Sequence, residues 1–213
     1  QRMSESSADA VAQYRYLKGY LMLKDQKHLD SEYLGGLAAI EWRSAYGDNA
    51  SVAEKLTTHF ANLLRYQPGG FRTPTLEPGD EQLVQRVRER LQGAPPEQLV
   101  YGEIQTRHQN PDGAVRLDVL SERVFQRKRG GRFTGPMPSL YTKPTFKAVV
   151  AKDVQVLQRQ LRDDYPWVVG GDRTLPTFPA DLDRRVIQLY EKDYIQAWDG
   201  LLTDVGVVQP KGV

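Results

Sequence analysis

The stretch Asp181 to Asp204, DLDRRVIQLYEKDYIQAWDGLLTD, joins helical periodicity to more large side chains than any other segment of the chain. On a 3.6-residue wheel, Leu182, Val186, Leu189, Tyr190, Tyr194, Ala197, Trp198, Leu201 and Val205 share one broad face, with Arg185, Lys192, Gln196 and Thr203 opposite. The pattern predicts a helix wet on one side only, and therefore the packing post of its half of the protein. Asp181 after Pro179 is placed to accept orphan amide hydrogens at the start, and Gly206 marks the stop. Asp193 breaks the apolar face. A carboxylate there needs a donor, expected to be backbone amides or an Arg, because an unpaired buried polar group costs about 1–3 kcal/mol. Tyr190, Asp193, Tyr194 and Trp198 are the candidate packing or partner-contact residues.

Upstream, three further helices are expected from residue 4 to 24, from 30 to 46 and from 51 to 65. Asp30 should cap the second, and Ser51 with Glu54 reads as a capping box for the third. Gly19 inside the first implies either a close helix crossing or a local weakness. After the breaker-rich PGGFRTPTLEPG of residues 68–79, a fourth helix covers 80–91 and a fifth begins at Pro95 and Pro96 and reaches Arg107. Asn110, Pro111, Asp112 and Gly113 are turn residues and the best boundary in the chain. Beyond them, Val115 to Leu120 reads as a short strand and Val124 to Thr134 as a basic-tipped hairpin. A long helix spans about 144–163, and residues 163–179 form a linker rich in Pro and Gly. The fold class is mainly α: a helical bundle over 1–110, then a smaller mixed α/β part over 111–213 with the long C-terminal amphipathic helix at 181–205.

Composition narrows function mostly by exclusion. Hydrophobic residues make up 39% and charged residues 26%, and 29 basic against 27 acidic side chains leave a net charge of +2. No global field draws the chain to nucleic acid. With no cysteine, disulfides, thiolate zinc ligands and thiol catalysis are excluded. The first residue, Gln1, points to a piece of a longer protein. His28, His59 and His108 share no helical face at metal spacing, so no metal and no cofactor are expected. Ser139 has no adjacent base, there is no phosphate-cradling Gly-Lys-Ser/Thr string, and Gly170–Gly171 reads as a turn. A carboxylate pair assembled in space would make a cell-wall hydrolase, the rival to a non-enzymatic reading. The run Arg127, Lys128, Arg129 and Arg132 reads as a solvated hairpin tip.

Three stretches carry a family resemblance: LKGYLMLKDQKHLD at residues 17–30, Tyr141-Thr142 after residues 135–140, and YEKDYIQAWDGLL at residues 190–202. In this order they resemble the periplasmic region of the IcmF/TssM family, the inner-membrane scaffold of type VI secretion systems. Ser139 and Pro144 stand where that family more usually has Gly. The resemblance implies a non-catalytic assembly domain in the periplasm. Its implied partners are the outer-membrane lipoprotein TssJ, possibly through sequence beyond this chain, together with TssL and other copies of itself. It implies no nucleic acid, and membrane contact only through parts of the longer protein.

Overall fold

The structure is a computed structural model that describes residues 10–47, 49–66, 78–108, 114, 125–128, 137–170 and 178–207. It is mainly α. The helices are α1 (Ala10–Lys24), α2 (Ser31–Ala45), α3 (Ala50–Tyr66), α4 (Pro78–Gln92), α5 (Pro96–Arg107), α6 (Lys143–Ala148), α7 (Val154–Val168) and α8 (Leu182–Asp204). A π turn, Val149–Asp153, joins α6 to α7 without a break, and Phe125–Arg127 (β1) pairs antiparallel with Val205–Val207 (β2).

By contact the chain divides into two compact units, Gln1–Ala94 with Asp164–Pro176, and Pro95–Asp163 with Thr177–Val213. These edges differ from a break at residue 110, because α5 packs on α8 and so counts with the second unit. Residues 110–113 themselves lie outside the described residues.

In the first unit α1 runs beside α2 and α4, and α2 pairs with α3. Met22, Leu34 and Leu64 form its buried centre, with Phe60, Tyr33 and Trp167 packed around them. Gly19 marks a close crossing: a Cβ there would come 2.7 Å from Leu37 Cδ2 of α2. Asp30 caps α2, its carboxylate accepting from the Glu32 and Tyr33 amides at 2.9 and 3.0 Å. The third helix starts two residues earlier than a Ser51 capping box requires. The Asn49 carbonyl accepts the first bond, from the Val52 amide, so Ser51 sits within the first turn. Lys18 is held between the Asp164 carboxylate at 2.6 Å and the face of Tyr33 at 4.2 Å.

The long helix also outruns its expected end, because α7 continues through Pro166 to Val168. Proline removes one amide donor, and with it one bond to the carbonyl four residues back. The exposed carbonyls of that last turn find another donor. Arg88 donates through Nε to the Val168 oxygen and through a terminal nitrogen to that of Trp167, both at 3.0 Å. Gly170, at φ 71°, then turns the chain. His28 stacks flat on Trp167 with ring centroids 4.4 Å apart.

Replacing Asp30 with Ala leaves the two α2 amides without their acceptor. The expected loss is about 1 kcal/mol in chemical denaturation, and an unchanged midpoint would show that the cap contributes nothing.

Candidate functional site

The second unit is built around α8, and the first half of that helix follows its sequence pattern: Leu182, Val186 and Tyr190 are buried. Farther along, Leu189, Tyr194, Ala197, Trp198, Leu201 and Val205 are half-buried. The outer side is not wholly polar, however, since Ile195 and Leu202 lie there among the polar residues, 58% and 61% exposed. Asp181 does not cap with its side chain but accepts from Arg185 Nε at 3.1 Å. Nor does Gly206 end the helix. The α-helix finishes at Asp204, Val205 turns extended, and Gly206 pairs with Gln126 in the ribbon. That pairing, and the Arg127–Asp204 ion pair beside it, give β1 a partner from the chain's last helix. The hairpin partner expected at 132–134, the strand at 115–120, and Arg129 and Arg132 lie outside the described residues.

Tyr190 is the hub. Its ring has neighbours from α5, from the short 3-10 turn Ser139–Tyr141 and from α6: Tyr101, Tyr141 and Phe146, with centroids 6.5, 6.4 and 5.7 Å away. One turn on, Tyr194 meets Phe146 at 5.5 Å and Tyr141 at 6.4 Å. Trp198 continues the row, 6.3 Å from Tyr194. Offset and edge-on pairs of this kind contribute about 0.5–1.5 kcal/mol each beyond burial. The polar ends are satisfied: the Tyr190 hydroxyl donates to the Leu140 carbonyl and Trp198 Nε1 to that of Tyr141, both at 2.8 Å.

Asp193 finds its donor, although of a different kind from that expected. Among the described residues its side-chain donor is neither an amide nor an Arg: the Tyr101 hydroxyl donates to Asp193 Oδ2 at 2.6 Å. Burial pushes the Tyr101 phenol above its ordinary range, and the Asp193 carboxylate adds to that. Burial likewise raises Tyr190, with Tyr194 and Tyr141 adding to it. Tyr101, Tyr141 and Phe146 are members that the α8 periodicity could not reveal. Their apolar spacing within their own segments was visible, but which ring meets which depends on how the segments pack.

A second polar cluster lies in the same unit. Asp153, buried on the π turn, accepts from His108 Nε2 at 2.7 Å and faces Arg107 at 3.5 Å. Ser139 approaches the same residue, yet its hydroxyl donates to the His108 backbone oxygen at 2.6 Å, so it is bonded away from the imidazole. Serine, histidine and aspartate thus meet without the relay a nucleophile needs. Among the described residues the side-chain partners of Asp153 are His108 and Arg107, not the second carboxylate of a glycosidase pair. Among the described residues no cluster of three or more His, Asp or Glu is suited to a metal ion. No described helix is long and apolar enough to cross a membrane.

The family model described as IcmF-related, intracellular multiplication and human macrophage-killing, matches residues 1–213. The chain belongs to the IcmF-related family. Among similar proteins is a Pseudomonas aeruginosa protein named type VI secretion system component TssM1, 29% identical over 215 residues. The match takes in 98% of this chain and 19% of that relative, so the chain spans about a fifth of its length. No solved structure matches the chain.

Two outcomes follow from the hub. Tyr190→Phe leaves the Leu140 carbonyl without its donor in a dry site, so urea denaturation should show a loss of about 1–3 kcal/mol. In alkali, the raised phenols favour the folded state below the unfolded tyrosine pKa of about 10, and that contribution fades as pH rises above it. Ultraviolet titration should therefore show Tyr101 and Tyr190 ionising only together with unfolding. Ionisation of every tyrosine near pH 10 in a folded chain would contradict this.

Proposed function

We propose that the chain is a non-catalytic part of a type VI secretion membrane complex, acting in the periplasm as a scaffold for protein–protein assembly. The observation that supports it most is the 29% identity to a named type VI secretion component, which runs through 98% of the chain and so is not confined to one motif. The use of side chains agrees with it. The α8 aromatics are engaged with one another and with backbone carbonyls, an arrangement that fixes α8 against its neighbouring segments. The proposed partners are the outer-membrane lipoprotein TssJ, TssL and further copies of the same chain.

The test is co-purification of this chain, and of a form extended past Val213, with the periplasmic part of the lipoprotein. Capture by the chain itself places an interface on the helices described above. Capture by the extended form alone makes these residues a pedestal for a separate docking module, and failure of both removes the lipoprotein from the reading.

A further inference from the structure

Charge is not spread evenly along this chain. Residues 143–162, which run through α6, the π turn and α7, carry Lys143, Lys147, Lys152, Arg159 and Arg162 against one carboxylate, Asp153. That segment nets +4 where the whole chain nets +2, so the remaining residues together net −2. Asp153 is buried and engaged with His108 and Arg107, which leaves the five cations unmatched. All five are exposed, and among the described residues none of them forms an ion pair. Five residues of π turn advance about as far around the axis as four of α-helix. Lys143 and Lys147 before the turn therefore stay within about a quarter turn of Arg159 and Arg162 after it, with Lys152 beside them. The result is a straight cationic ridge about 27 Å long, opposite the buried row of Val149, Val154, Leu157 and Leu161.

The occupant of such a ridge must be anionic, and the neighbouring side chains narrow its kind. Stable protein interfaces centre on aromatic or large aliphatic anchors and are depleted in lysine. Here three of the five cations are lysines, and Val150, at 36% exposure, is the one large apolar group open on the segment. Single-stranded nucleic acid stacks its bases on interleaved aromatics, and no exposed aromatic stands between Lys143 and Arg162. A layer of lipid headgroups asks for neither. It is flat, so a straight ridge can lay all five cations on it at once, and flexible, hydrated lysines suit its diffuse charge. We propose that the ridge Lys143, Lys147, Lys152, Arg159 and Arg162 rests on the surface of an anionic phospholipid bilayer. The apolar side of the same helix stays in the core, so the contact is electrostatic adsorption without insertion. It belongs to this chain's own surface and does not depend on the assembly reading.

Co-sedimentation of the whole chain with vesicles tests it. Vesicles of mixed phosphatidylglycerol and phosphatidylcholine should bind the chain, vesicles of phosphatidylcholine alone should not, and added salt should release it. Lys147→Gln combined with Arg159→Gln should weaken binding about twenty-five-fold, at about fivefold for each cation lost from an anionic surface. Both side chains are exposed, so circular dichroism and the unfolding midpoint should stay unchanged. Arg86→Gln combined with Arg90→Gln removes the same charge from exposed positions of α4 and should leave binding as it was. No binding to the anionic vesicles would overturn the proposal, and so would an equal loss from the α4 pair, which would reduce the effect to net charge. A chain that ignores the vesicles yet binds polyglutamate or duplex DNA through these five residues would also overturn it, giving the ridge to an acidic protein or to nucleic acid.

Discussion

The second unit depends on one buried phenol. Tyr190 is fully enclosed, and a hydroxyl left without an acceptor there would cost about 1–3 kcal/mol. The Leu140 carbonyl supplies that acceptor, and this fixes the 3-10 turn against the middle of α8. Once the turn is placed, the Tyr141 carbonyl is in reach of Trp198, and its ring lies over Tyr190 and beside Tyr194. Directional bonds therefore set the register among segments that apolar burial alone would allow to slide. Dispersion and burial provide most of the stabilisation, and two hydrogen bonds decide where it is spent.

The first unit solves a different problem, the open carbonyl end of a helix. The last turn of α7 contains a proline and ends at the buried Val168, leaving carbonyls that need a donor from outside the helix. Arg88 fills that role with a planar group that reaches two carbonyls at once. A guanidinium holds its proton under desolvation better than an ammonium would, which suits it to this half-buried position.

Local signals read well from the sequence because local physics fixes them. The Asp30 cap, the proline start of α5 and the alternation that buries Leu182, Val186 and Tyr190 each depend on atoms within a turn or two. The errors arose where distant residues intervene. Arg88, nearly eighty positions away, supplies donors to the carbonyls that end α7. Tyr101, over ninety positions before Asp193, supplies the donor to that carboxylate, a pairing that the α8 pattern does not contain. Gly206 looked like a helix stop, yet pairing with β1 decides its conformation. The candidate site was thus legible as one face of one helix. The rings that complete it were visible only as ordinary apolar residues of other segments.

The π turn between α6 and α7 has a bearing on how this chain can vary. An extra residue in that turn places Val149 and Asp153 inward and leaves Val150 exposed, while Val154, Leu157 and Leu161 keep their buried side. Five residues of π turn advance about as far around the axis as four of α-helix, so deleting one residue there would restore plain α-helix and leave that row on its buried side. The turn is therefore the place in the Lys143–Val168 segment where chain length can change by one without moving the core. Elsewhere in it a one-residue change would rotate the helix beyond by about 100°.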